Sequence, residues 1–152
     1  MGSIICYKHE ECNFEYNFFE DVGFRLFAMQ CESRRHMQNG EWGEHWKSMI
    51  EHYPEGTATI RKTLCYCDRC KLYFTKPRIK FYIPQEGYHY ESDDNKDFVP
   101  INIIDEHYQL HEEEVLTCPH CDSLLTVMEN VSAIPCPVCG KLRKGKDVGN
   151  WD

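Results

Sequence analysis

The sequence predicts an α+β protein, mostly antiparallel strands, with a helical hairpin set into the first of two small modules. Three observations carry that expectation. Short runs rich in β-branched and aromatic residues recur along the chain, as half-buried strands require. Trp42, His45, Trp46, Met49, Ile50 and Tyr53 fall at the i, i+3, i+4, i+7 spacing of one helix face. The 152 residues include 10 cysteines, several in C-x-x-C pairs, the usual device of small modules whose apolar core is too small to hold them alone.

The elements follow in order. Ser3 to Tyr7 and Phe14 to Phe19 read as two strands joined by a turn at Lys8 to Asn13. A helix is expected over Leu26 to Gln38 with Asn39-Gly40 as its exit, and a second bears the tryptophan stripe until Pro54 and Gly56 stop it. The β signal returns at Thr57, and Ile79, Phe81 and Ile83 alternate with Arg78, Lys80 and Tyr82. Gln85 to Asp97, with its Ser92-Asp93-Asp94-Asn95 turn cluster, reads as a linker. It divides a domain at 1–95, interrupted by helices at about 24–54, from a second at 96–152. In the second, Phe98 to Ile104, Glu114 to Thr117 and Leu124 to Met128 are expected to be strands.

Composition excludes several classes. Hydrophobic residues make up 41% and charged residues 28%, so the chain is not a low-hydrophobicity disordered tract. No apolar run reaches the roughly 18 residues of a spanning helix, and no membrane role is expected. The start, Met1-Gly2-Ser3-Ile4-Ile5-Cys6, lacks the basic and apolar regions of a secretory signal. That start and the C-x-x-C spacings lead us to expect a reducing, cytoplasmic setting in which paired cysteines bind metal. The formal charge of −8 opposes casual contact with nucleic acid. It is unevenly spread: positions 61 to 90 carry seven basic and two acidic residues, positions 91 to 117 one and nine.

Cys118-Pro119-His120-Cys121 and Cys136-Pro137-Val138-Cys139-Gly140 are separated by fourteen residues, enough for a hairpin that brings four sulfurs together. Zinc takes four tetrahedral ligands, and a C-x-x-C turn presents two thiolates from one side. Proline after the cysteine favours the turn, and Gly140 can adopt a left-handed conformation. These knuckles resemble those of the zinc-ribbon family over roughly residues 114 to 145, with Asp122 where that family usually has glycine. A less regular copy begins at His9-Glu10-Glu11-Cys12, with Cys67-Asp68-Arg69-Cys70 as its other half across fifty-four residues, a gap that loop entropy tolerates. We therefore expect Zn2+ at two sites per chain: Cys118, Cys121, Cys136 and Cys139 at one, His9, Cys12, Cys67 and Cys70 at the other. Cys6 or Cys65 is the alternative to His9. Cys6, Cys31 and Cys65 are otherwise given no chemistry. The whole is similar to small bacterial proteins with paired zinc ribbons, a resemblance that implies a fold and ligands but no substrate.

His111-Glu112-Glu113 with Pro135-Cys136-Pro137-Val138-Cys139 fits the zinc deaminase pattern in letters, but another C-x-x-C intervenes and thirteen residues follow Cys139. His107 and His111 would share a helix face and, with Glu114, read as solvated surface; His45 and His52 read as packing against the sheet. No nucleophile elbow, phosphate loop or triad motif occurs, and fully coordinated zinc offers no open position, so catalysis is not expected. A rubredoxin-like iron site is disfavoured, because fourteen residues is short for that family and residues 118 to 152 hold one aromatic, Trp151.

The expected role is a macromolecule-binding adaptor or regulator with structural zinc. A protein partner is favoured, with the Trp42/Trp46 face as contact surface if exposed and core if buried. The alternative is nucleic acid bound by Arg69, Lys71, Lys76, Arg78 and Lys80 with the interleaved aromatics Tyr66, Tyr73, Phe74, Phe81 and Tyr82.

Overall fold

The computed structural model describes residues 2–92 and 97–151, which form an α+β fold of antiparallel sheets. Its elements are β1 (Gly2–His9), β2 (Phe14–Phe19), α1 (Phe24–Cys31), α2 (Ser33–Gln38), α3 (Glu44–His52), β3 (Thr57–Cys67), β4 (Leu72–Pro84), α4 (Ile101–His107), β5 (Tyr108–Glu113), β6 (Thr126–Val127), β7 (Ala133–Pro135), β8 (Leu142–Lys144) and β9 (Lys146–Trp151). Among the described residues no helix is long and apolar enough to cross a membrane.

Two compact units share the chain in alternation. The first takes Met1–Phe24, Arg61–Arg78 and Val115–Asp152, the second Arg25–Ile60 and Ile79–Glu114. Consecutive modules at 1–95 and 96–152 are thus replaced by interleaved units, because β3 and β4 each contribute residues to both. The expected cut near residue 95, like residues 93–95 of the expected turn cluster, lies outside the described residues.

In the first unit β1 is central, antiparallel to β2 on one side and to β9 on the other. The β1–β2 turn is a single 3-10 turn at Glu10–Cys12 that ends on left-handed Asn13. The end of β3 pairs with β6, Cys65 opposite Val127, and β7 pairs with β8. Tyr7, Phe18, Leu64, Tyr73 and Ile134 form the core. A buried phenol needs a hydrogen-bond acceptor. Tyr7 donates to Val131 O at 2.5 Å and Tyr73 to Pro135 O at 2.6 Å, and burial first of all pushes both hydroxyls up to about 12.

The second unit has an apolar core of Met37, Trp46, Ile50, Ala58, Ile60, Ile79 and Phe81. Alternation on β4 places Ile79 and Phe81 inward, as the sequence pattern requires. Trp46 is 5% exposed and Ile50 2%, with Trp42 and Met49 partly buried against the same cluster, so the tryptophan face packs into the core. The single helix expected over 26–38 is two helices, interrupted at Glu32, whose φ of −118° leaves the helical region. Gly56 lies where any Cβ would collide with the Phe81 ring.

Several expected strands differ. Residues 98–104 include a helix, α4, because Pro100 serves as its N-cap and the isoleucine spacing buries Ile104 beside Val99 and Tyr108. Glu114 to Thr117 forms no strand beyond the Thr117–Leu124 bridge. His107 ends α4 while His111 lies on β5, so the two do not share a helix face.

Candidate metal centres

Four short turns carry the ligand residues, and they share a left-handed exit. The residue after the second ligand is left-handed in every one: Asn13 (φ 47°), Lys71 (φ 58°), Asp122 (φ 57°) and Gly140 (φ 74°). Asn, Asp and Gly tolerate that region at little cost, Lys less readily. In three turns its N–H returns to the first cysteine's carbonyl: Lys71 to Cys67 (2.8 Å), Asp122 to Cys118 (3.0 Å) and Gly140 to Cys136 (2.8 Å). In the fourth, Asn13 N–H returns to Glu10 (3.0 Å). The two later turns share one more bond, Cys118 N–H to Ser123 O (2.8 Å) and Cys136 N–H to Lys141 O (2.9 Å). Asp122 therefore replaces glycine without changing the turn.

The eight ligand residues converge in two groups, Cys67, Cys70, Cys118 and Cys121, and His9, Cys12, Cys136 and Cys139. In each group the ligand atoms all lie within 4.8 Å of one another. Sulfurs about 2.3 Å from a tetrahedral ion are roughly 3.8 Å apart. Cys67 and Cys121 Sγ are 3.5 Å apart, and Cys70 and Cys118 Sγ 3.9 Å. A nitrogen at about 2.0 Å shortens the edge to roughly 3.5 Å, and His9 Nδ1 stands 3.5 Å from Cys139 Sγ. His9 Nε2 lies 3.3 Å from Glu11 Oε2, a carboxylate that accepts its proton when Nδ1 takes the metal; Arg143 Nη2, a donor only, lies 2.6 Å away and bonds Nε2 only in the other tautomer. Both groups fit a tetrahedral cation.

The pairing corrects the sequence reading. Cys118 and Cys121 face Cys67 and Cys70, not Cys136 and Cys139; His9 and Cys12 face Cys136 and Cys139, not Cys67 and Cys70. Strand register decides this. The β3–β6 pairing, with Thr126 Oγ1 3.3 Å from Asp68 Oδ2, seats the Cys118 turn against the tip of the β3–β4 hairpin. The β1–β9 pairing draws the region after Cys139 along β1, toward His9. Cys6 and Cys65, the alternatives to His9, belong to neither group. Each sits within a strand, Cys6 on β1 opposite Asn17 and Cys65 buried on β3.

Electrostatics show why thiols gathered three or four to a group call for a cation. Hydrogen bonds from the Ser123 hydroxyl and then its backbone N–H bring Cys121 down to about 6 from 9.0, against burial. Burial opposes ionisation of Cys136, but the hydrogen bond with His9 and the N–H groups of Cys139 and Val138 outweigh it and hold that thiol at about 6. Their neighbours are driven the other way. Cys70 rises to about 12 through its hydrogen bond with Cys121 and then burial, and Cys12 to about 11 through burial and then its contacts with Cys139 and Cys136. Like charges cannot gather in one small volume without a counter-charge.

Some of the basic residues singled out in the sequence have partners of their own. Lys80 pairs with Glu113 at 2.8 Å and Lys76 donates to Thr117 O at 2.8 Å. Arg69 and Lys71 are exposed at the hairpin tip. Tyr73 and Phe81 are buried in different cores. His45, expected to pack on the sheet, is exposed and meets Glu112 at 2.5 Å. Compared with protein-family models, curated proteins and solved structures, the chain matches none.

Proposed function

We propose that this is a zinc protein of the reducing cytoplasm whose two ions are structural, and that its first unit is an adaptor for a protein partner. The observation that carries the zinc reading is the closure of both groups: four soft or borderline ligands converge at tetrahedral separations, with no place left for substrate or water. Such sites hold the folded chain together and need no substrate. The partner reading rests on exposed apolar side chains at the two later turns. Val115 and Leu124 are 73% and 70% exposed beside one, Val138 and Leu142 69% and 68% at the other. Metal analysis of purified protein tests the first claim, with two zinc equivalents expected; iron, or fewer than two equivalents, overturns it. Partner capture with native chain and with Leu124→Glu/Leu142→Glu tests the second. Capture that is unchanged by the double substitution removes these turns as the contact.

Nucleic acid is the second reading. Arg69 and Lys71 are exposed at the hairpin tip, and Lys141, Lys144 and Lys146 are exposed on or beside β8 and β9. Phosphate binding by these groups would weaken steeply with salt. Absence of binding to single or double strands at low salt ends this option.

A further inference from the structure

The two groups differ in access. Of the eight ligand side chains Cys139 alone is exposed; Cys12, Cys70 and Cys121 are half-buried and the rest buried. The surroundings of Cys139 are open as well. Val138 beside it is 69% exposed, and beyond its two chain neighbours nothing lies within 4 Å of where a Cβ on Gly140 would stand. The other group is better shielded: Cys67 Sγ accepts the Cys70 N–H at 3.3 Å, and Cys121 Sγ has Ser123 Oγ at 3.3 Å. Reactivity of a cysteine follows thiolate character and access together, and a metal-ligating cysteine is a thiolate.

Resting on the metal reading above, we propose that the His9 group is a thiol-oxidation site: a peroxide joins Cys139 to Cys12, and the chain gives up the metal held there while keeping the other. The Cys139 thiolate attacks one peroxide oxygen, the O–O bond breaks, and hydroxide leaves a sulfenic acid on Cys139. The Cys12 thiolate then attacks that sulfur, forming the S–S bond and expelling a second hydroxide. Two electrons pass from two sulfurs to the peroxide, which is the whole balance. Cys12 is the resolving partner because it is half-buried, whereas Cys136 is buried. Both Cys12 and Cys139 sulfurs lie within the 4.8 Å cluster, so small movements close the bond. With two ligands consumed, His9 and Cys136 are too few for a tetrahedral ion.

The test uses the zinc-loaded full chain, with metal counted before oxidant is added, so that failure of the metal reading registers separately. Hydrogen peroxide at near-stoichiometric dose should release one zinc equivalent, read with a colorimetric chelator, about tenfold faster than the second. Peptide mass spectrometry should find a Cys12–Cys139 disulfide, and thiol reductant with zinc should restore the original count. A sulfenic-acid probe added during the reaction should label Cys139 before the disulfide closes. Release of two equivalents at one rate, first release from the Cys67 group, or probe label on a cysteine other than Cys139 would each overturn the proposal although two zincs had been counted.

Discussion

The two units solve the problem of a small interior differently. The second packs helices on strands and buries Met37, Trp46, Ile50 and Phe81 in an apolar core. The first has short strands, a core of five buried residues in which two tyrosines are the widest, and both metal groups. Where apolar area is scarce, a chain needs another source of cohesion, and a bound ion supplies it. The difference shows that cysteine pairs are placed where the core is thin; the one cysteine of the second unit, Cys31, belongs to neither group.

Chelation should break the comparison most sharply. Structural zinc is worth about 10 to 16 kcal/mol in small peptides, so a strong chelator should abolish hydrogen-exchange protection in 2–24, 61–78 and 115–151 and spare most of 25–60. Uniform loss across both would mean that the second unit's core is not self-sufficient. Acid should act on the same unit. Cys121 and Cys136 are held at about 6 against an ordinary 9.0, so their preference for the folded state is complete above pH about 9, declines as pH falls and is gone below about 6. Protons then compete directly for the ligands. Zinc release measured along a pH series should rise as pH drops through 6, with helical circular dichroism from α1–α3 falling later.

Trp46→Ala sharpens the comparison from the other side. Emptying so large a site should cost the second unit about 3 to 5 kcal/mol in denaturant unfolding, with the zinc content unchanged. The smallest effect belongs to Lys71, the long side chain held at φ 58°. Lys71→Gly should stabilise the Cys67 turn by about 1 kcal/mol, seen as a small rise in the unfolding midpoint.

Much of this was legible in the residues, and the misses have causes. β1, β2 and α3 announce themselves by alternation and by the tryptophan stripe, and all eight ligand residues stand at knuckle spacing. Which turn faces which was not legible, because it depends on pairings between strands as distant as Gly2 and Trp151. Proximity along the chain favoured joining Cys121 to Cys136, whereas sheet register ruled. The helix at 101–107 was hidden by β-branched isoleucines, although Pro100 was a start signal. One further signal was available: Asn13, Asp122 and Gly140, each able to turn left-handed, follow the second ligand of three turns.

The crossed arrangement also sets an order of assembly on the ribosome. As the polypeptide emerges, the Cys67 group is complete once residue 121 is out, whereas His9 and Cys12 must wait for residue 139, with the whole second unit already synthesised between them. A nascent chain stalled between those two lengths would be competent to capture one ion and not two, and its opening hairpin would have to persist without its distant clasp until the final turn arrived.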